Sequence, residues 1–170
     1  MTVLRTMISS TVIRRADDAQ RYLVEAMEVL SRSGIHAVRA LVALAELPTS
    51  EFRGAAALAE ETGAPPNYLG KLLQALSREG LVESQKGLGG GFRLARAPEE
   101  ITMYDVVSSI EDVRRWTQCI FGGEGCSETN PCAVHDRWSE IRESYVDMLR
   151  TTRLVDLLPT AYHRGSAPLY

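Results

Sequence analysis

PPNYLGKLLQALSREGLVESQKGLGGGFRLA, residues 65–95, decides the fold. Pro65 and Pro66 suit the opening of a helix, where a missing backbone N–H leaves no hydrogen bond unmade. Leu69, Leu72, Leu73 and Leu76 then recur at helical spacing as far as about Arg78. Gly80 ends the helix, Leu81–Gln85 reads as a short strand, Lys86-Gly87-Leu88-Gly89-Gly90-Gly91 as a turn, and Phe92–Ala95 as the return strand. A helix running straight into a small glycine-tipped hairpin predicts a wing.

Upstream, a short helix over Ala55–Glu61 stops at Gly63, so short helix, tight turn and second helix follow in helix-turn-helix order. Before it, a core helix starts at Ser33 and ends ahead of Pro48, with Ile35, Val38, Val42 and Ala45 on one face and Leu41 and Leu44 beside them. A turn spans Glu51–Gly54. The glycine run could instead cradle a phosphate, but that loop needs Gly-Lys-Ser/Thr leading into a helix, and here the glycines lie between two strands. In a wing, glycines let the tip lie close to a sugar-phosphate backbone while Lys86 supplies charge.

Downstream, Thr102 caps a helix over Met103–Ile110 with Val106, Val107 and Ile110 inward. Val134, Trp138, Ile141, Tyr145 and Met148 then follow at alternating spacings of four and three, an apolar seam on one long helix. Either the seam folds onto its own domain or it pairs across a two-fold axis, and the second is preferred because it lies outside the compact winged unit. Leu154, Leu157 and Leu158 cap the pairing.

At 170 residues and 45% hydrophobic, the chain suits one domain with an appended arm. No apolar run reaches the roughly 18 residues of a membrane span and the start lacks a secretory pattern, so a cytoplasmic protein with no membrane partner is expected. Net charge −3 and a pI near 5.7 argue against nucleic acid on average. The average hides a split. Lys71, Arg78, Lys86, Arg93 and Arg96 face only Glu79 and Glu83 between residues 64 and 96, whereas Glu99, Glu100, Asp105, Glu111 and Asp112 follow with no base between them. Phosphate contact requires a local basic stretch of this kind.

The only cysteines are Cys119, Cys126 and Cys132, followed by His135, in a glycine-containing loop. Gaps of six and five residues are too wide for the paired knuckles of most structural zinc sites. Asn130 and Pro131 read as the start of the long helix, putting Cys132 in its first turn and His135 one turn on, while Gly122, Gly123 and Gly125 let the loop curl inward. Three thiolates and an imidazole can hold a cluster of two irons. The same donors suit tetrahedral zinc, and metal-free redox thiols or plain loop packing remain open. A cysteine nucleophile with His135 as base would need an oxyanion hole, for which the sequence offers no residues, so an enzyme is not expected. A non-DNA scaffold or metallochaperone is disfavoured by the wing.

These residues together resemble the Rrf2 family of winged-helix transcription factors, and most its iron–sulfur cluster regulator branch, from about Met27 to Leu158. The specific parts are Gly34-Ile35-His36-Ala37-Val38, Pro66-Asn67-Tyr68-Leu69, Gly80-Leu81-Val82 with the Lys86–Phe92 wing, and Cys132-Ala133-Val134-His135-Asp136-Arg137-Trp138. The resemblance implies that Cys119, Cys126, Cys132 and His135 ligate a 2Fe-2S cluster. Relatives that sense nitric oxide hold a 4Fe-4S cluster with an acidic ligand from the first helix, where this chain has Ile35, making that the second choice and zinc the third. Three departures stand out: six residues rather than five between Cys119 and Cys126, His36 for a common tyrosine, and Gly70 where the branch often has an acidic residue used in operator selection.

The expectation is therefore a mainly α fold with a small β-hairpin wing: a winged helix-turn-helix domain plus a long C-terminal dimerisation helix. Its segments are an N-terminal extension over 1–26, the winged domain over 27–112, a cysteine-rich loop over 113–133, the dimerisation helix and cap over 134–158, and a frayed tail over 159–170. A homodimer would bind double-stranded operator DNA through Asn67, Tyr68 and Lys71 of the second helix and Lys86 and Gly87 of the wing, and pair through Trp138, Ile141, Tyr145 and Met148. Iron–sulfur status, redox or nitric oxide would control it, with a metal-free or zinc-bound thiol-responsive repressor as the alternative.

Overall fold

A computed structural model describes residues 30–87, 89–113, 118–121 and 126–158. The expected N-terminal extension, the C-terminal tail, Leu88 of the wing and the loop glycines Gly122, Gly123 and Gly125 lie outside the described residues. Helices α1 (Arg32–Ala45), α2 (Ala55–Thr62) and α3 (Pro66–Arg78) come first, then strands β1 (Val82–Gln85) and β2 (Gly91–Leu94). A 3-10 turn at Pro98–Glu100 leads to α4 (Met103–Ser108), the long α5 (His135–Thr151) and the short α6 (Leu154–Leu157).

Gly63 ends α2 in the left-handed conformation, φ 69°, and its N–H returns to the Ala59 carbonyl. This sharp stop turns the chain into α3, whose Leu69, Leu72, Leu73 and Leu76 are all buried. They pack with Ala37, Ala40, Leu41 and Leu44 of α1, Leu58 of α2, and Leu81, Val82, Ile101, Val106 and Leu154. The buried face of α1 thus runs through Ala37, Ala40, Leu41 and Leu44, rotated from the expected Ile35–Val38–Val42–Ala45 face, of which Val38 and Val42 pack only along its edge. Small alanines at the centre let neighbouring helices approach closely, so the larger β-branched side chains are displaced to the rim.

The hairpin pairs antiparallel in the register Val82↔Leu94, Glu83↔Arg93, Ser84↔Phe92 and Gln85↔Gly91. Arg53 adds a further rung outside the hairpin, exchanging two 2.9 Å backbone hydrogen bonds with Phe92. At Gly91 (φ 150°) any Cβ would run into the Arg53 carbonyl, so glycine is what lets this rung form. Thr102 and Asp105 form a reciprocal capping box on α4, with bonds of 3.0 and 3.1 Å, and the helix ends at Ser108, short of the expected Ile110.

Helix α5 begins at His135 rather than at Asn130-Pro131. Asn130 is spent in a tight turn: its N–H meets the Ser127 carbonyl at 3.1 Å and the Ser127 hydroxyl at 3.2 Å, while its carbonyl accepts from Ser127 N–H. A serine three residues upstream outcompetes capping because it closes the turn locally. At its far end α5 is clamped to the winged unit. Met103 N–H donates to the Thr152 carbonyl and Leu154 N–H to the Ile101 carbonyl, both at 2.9 Å; Arg153 reaches the Glu99 carbonyl, and Arg150 lies 4.9 Å over the Tyr104 ring. No helix among the described residues is long and apolar enough to cross a membrane.

Candidate functional site: a basic reading face and a thiol cluster

Two separate groups of side chains carry chemistry. The first is the outer face of α3, where Asn67, Lys71, Gln74 and Arg78 are all exposed, spaced by four, three and four along one side. Lys71, Arg78 and Lys86 form no ion pair among the described residues. Arg93, counted above with the basic stretch, is instead neutralised: it pairs with Glu83 at 2.7 Å across the hairpin and lies 4.7 Å over the Phe52 ring. Arg53 is likewise tied to Glu61 and to Glu51. Lys86 and Gly87 (φ 100°) stand exposed at the wing tip.

Tyr68, 38% exposed, turns back toward α1, its hydroxyl bonded to Ser33 and its ring edge-on to His36 at 6.1 Å. His36 is buried with Nδ1 unpartnered. Burial first, then the Arg39 and Arg32 charges, hold its pKa below the usual 6.5. Gln74 is not among the contacts read from sequence, and Arg78 is read there only as part of the basic stretch. Their spacing from Asn67 and Lys71 was the available signal, overshadowed by the leucine stripe on the opposite face.

The second group is the loop before α5. The Sγ atoms of Cys119, Cys126 and Cys132 lie within 4.8 Å of one another. Cys119 Sγ lies 3.9 Å from Cys132 Sγ, and Cys126 Sγ lies 3.2 Å from His135 Nδ1. The Cys132 backbone N–H favours the Cys126 thiolate, but desolvation and the neighbouring thiols of Cys132 and Cys119 outweigh it and raise the Cys126 pKa. Crowded thiols resist becoming thiolates together, and a bound cation would relieve that repulsion. Four donors around a metal with bonds of about 2.3 Å sit about 3.8 Å apart, close to the first pair's separation. The donor set therefore fits a thiolate-bound metal centre.

Trp138 donates its indole N–H to the Gln118 carbonyl at 2.8 Å, so it braces the cysteine loop. Of the other expected pairing residues, Ile141 is 60% and Met148 45% exposed, and Tyr145 is half-buried. Leu149, outside the expected seam, is the α5 residue that anchors this helix, fully buried.

A family description reading "Iron-dependent Transcriptional regulator" matches residues 30–160. The chain belongs to the Rrf2 family. Rrf2 proteins being transcriptional regulators, this is a winged-helix regulator and not an enzyme. IscR of Pectobacterium carotovorum is 30% identical over 129 residues, 76% of this chain and 78% of that protein. Among solved structures, IscR of T. potens superposes with a TM-score of 0.62 at 27% identity, covering 84% of this chain and 96% of that one. CymR, the global cysteine regulator of B. subtilis, superposes at 0.65 with 25% identity, covering 79% and 98%.

Proposed function

We propose that this Rrf2 protein is a cytoplasmic, homodimeric regulator of double-stranded operator DNA, its affinity set by an iron–sulfur cluster of the 2Fe-2S type. Cys119 with Cys132 and Cys126 with His135 hold it. The observation that carries this reading is the convergence of three thiols, one of them against the His135 imidazole, at the start of a helix whose other end is clamped to the winged unit. Bound there, the cluster supplies a one-electron couple and a centre that oxidants, iron shortage or nitric oxide can remove.

The residues do the rest. His135 is the first residue of α5, so ligation fixes where that helix starts, and about 25 Å of rigid helix carries the constraint to the Ile101–Met103 clamp. In the dimer, Ile141, Tyr145 and Met148 pair α5 with its copy, with Trp138 bracing the loop beside them. The spacing of the two α3 helices in successive major grooves then follows the cluster state. Asn67, Lys71 and Gln74 meet base edges and phosphates, Tyr68 contacts the backbone from the Ser33 side, and Lys86 and Gly87 touch the adjacent minor groove.

Anaerobic purification followed by iron, sulfide and zinc analysis tests the cofactor. About two irons and two sulfides per chain are expected. Four of each would make it the 4Fe-4S type, and zinc without iron would replace the reading with a zinc centre. A metal-free or zinc-bound thiol-responsive repressor is the second reading, favoured by the 3.9 Å approach of Cys119 to Cys132 and by the likeness to a cysteine regulator.

A further inference from the structure

Beside the thiols lies a cleft of about 390 Å³ whose lining includes Cys119, Cys126, Glu128, Glu143 and Arg142. Two features of it are unexplained by metal binding. It carries both signs of charge next to sulfur, and it is asymmetric: Cys119 and Cys126 line it, whereas Cys132 does not, although Cys132 Sγ lies 3.9 Å from Cys119 Sγ. Cys126 Sγ lies 3.2 Å from His135 Nδ1, and Cys119 is the cleft thiol with the Cys132 sulfur, outside the cleft lining, 3.9 Å from it.

We propose that, in the metal-free chain, this cleft receives a small zwitterionic disulfide and that Cys119 is its point of attack, with Cys132 the resolving thiol. The Cys119 thiolate attacks one sulfur of the incoming disulfide, forming a mixed disulfide and expelling the other half as a thiolate. Cys132, as its thiolate, then attacks the Cys119 sulfur and expels the second half. Two protein thiols are oxidised to one Cys119–Cys132 disulfide, and the small disulfide is reduced to two thiols, which take up the two protons. Arg142 receives the carboxylate of the incoming molecule, while Glu128 and Glu143 receive its ammonium group. The bond ties the loop at Cys119 to the residue three positions before α5 and withholds two metal ligands, so oxidised chain takes up no metal until reduced. This deepens the thiol chemistry of the proposed centre, yet it holds for the metal-free form whichever metal the loaded protein carries.

The test uses full-length chain, stripped of metal anaerobically, treated with cystine and read by intact-mass and peptide mass spectrometry, so its result is independent of cluster type. The wild-type chain should lose two hydrogens and yield a Cys119–Cys132 linked peptide. Cys132→Ser should accumulate one half-cystine on Cys119, Cys126→Ser should still close the bond, and Cys119→Ser should form neither. Arg142→Gln should slow the reaction with cystine about threefold and leave that with uncharged hydroxyethyl disulfide unchanged. An adduct settling on Cys126 in any chain retaining Cys119, a disulfide including Cys126, or no reaction overturns the assignment. Equal slowing of both reagents by Arg142→Gln overturns the zwitterion specificity.

Discussion

The winged unit and the cysteine arm are held by different physics. Between α1 and α4 the chain buries apolar side chains from every helix into one core, with Leu41, Leu58, Leu69, Leu73, Leu76 and Leu81 essentially inaccessible. From Ser108 to Met148 no described residue is buried, and the arm rests on Leu149, a handful of backbone bonds and the thiol group. The first region is specified by apolar burial. The second buries little apolar area of its own, so what it binds, metal or a second chain, decides its order.

The largest test of that contrast is Leu73→Ala against Cys132→Ser. The leucine truncation should cost about 3–5 kcal/mol of stability in urea unfolding, whereas Cys132→Ser should leave the winged-unit transition within about 1 kcal/mol and abolish metal loading. Comparable unfolding shifts would erase the distinction. Gln74→Ala comes next, expected to cost about 1–3 kcal/mol against the preferred operator and to relax selectivity at one base pair, read by competition binding. Uniform loss on all sequences would reassign Gln74 to the backbone. For Lys86→Ala, the salt slope of log affinity should fall by about one, and an unchanged slope would take the wing lysine off the phosphates.

A smaller effect links α1 to the reading helix. Because the His36 pKa is depressed by burial and then by Arg39 and Arg32, the unfolded chain binds the proton more readily than the folded one. The stability this neutral imidazole permits is complete above the usual 6.5 and is lost as pH falls through the lower folded value. His36→Gln should flatten the acid limb of stability against pH and leave the neutral region alone. An acid limb unchanged in the variant would put its origin elsewhere.

The winged unit was legible because its signals are local: prolines opening α3, Gly63 and Gly80 closing helices, four leucines at helical spacing, and glycines between two strands. What escaped was decided by tertiary context. The rung between Arg53 and Phe92 joins residues far apart in sequence, and nothing near Arg53 marks it as a strand. The neutralisation of Arg93 needed the hairpin register, which places Glu83 opposite it. At α5, Asn130-Pro131 was a reasonable start signal overridden by Ser127, and the alternating seam left out Leu149, the buried residue of that helix. The four candidate ligands were legible as types, but the approach of Cys119 to Cys132 and of Cys126 to His135 required coordinates.

The central claim is that occupancy of the thiol group controls DNA affinity through α5. The most direct measurement compares anaerobic affinities of cluster-loaded, metal-stripped and reconstituted protein for one duplex selected from a random pool by the loaded form. Stripping should weaken binding by at least about tenfold, some 1.4 kcal/mol, and reconstitution should restore it. Equal affinity in all three states would contradict the account, leaving a winged-helix regulator whose metal centre does not govern its reading of DNA.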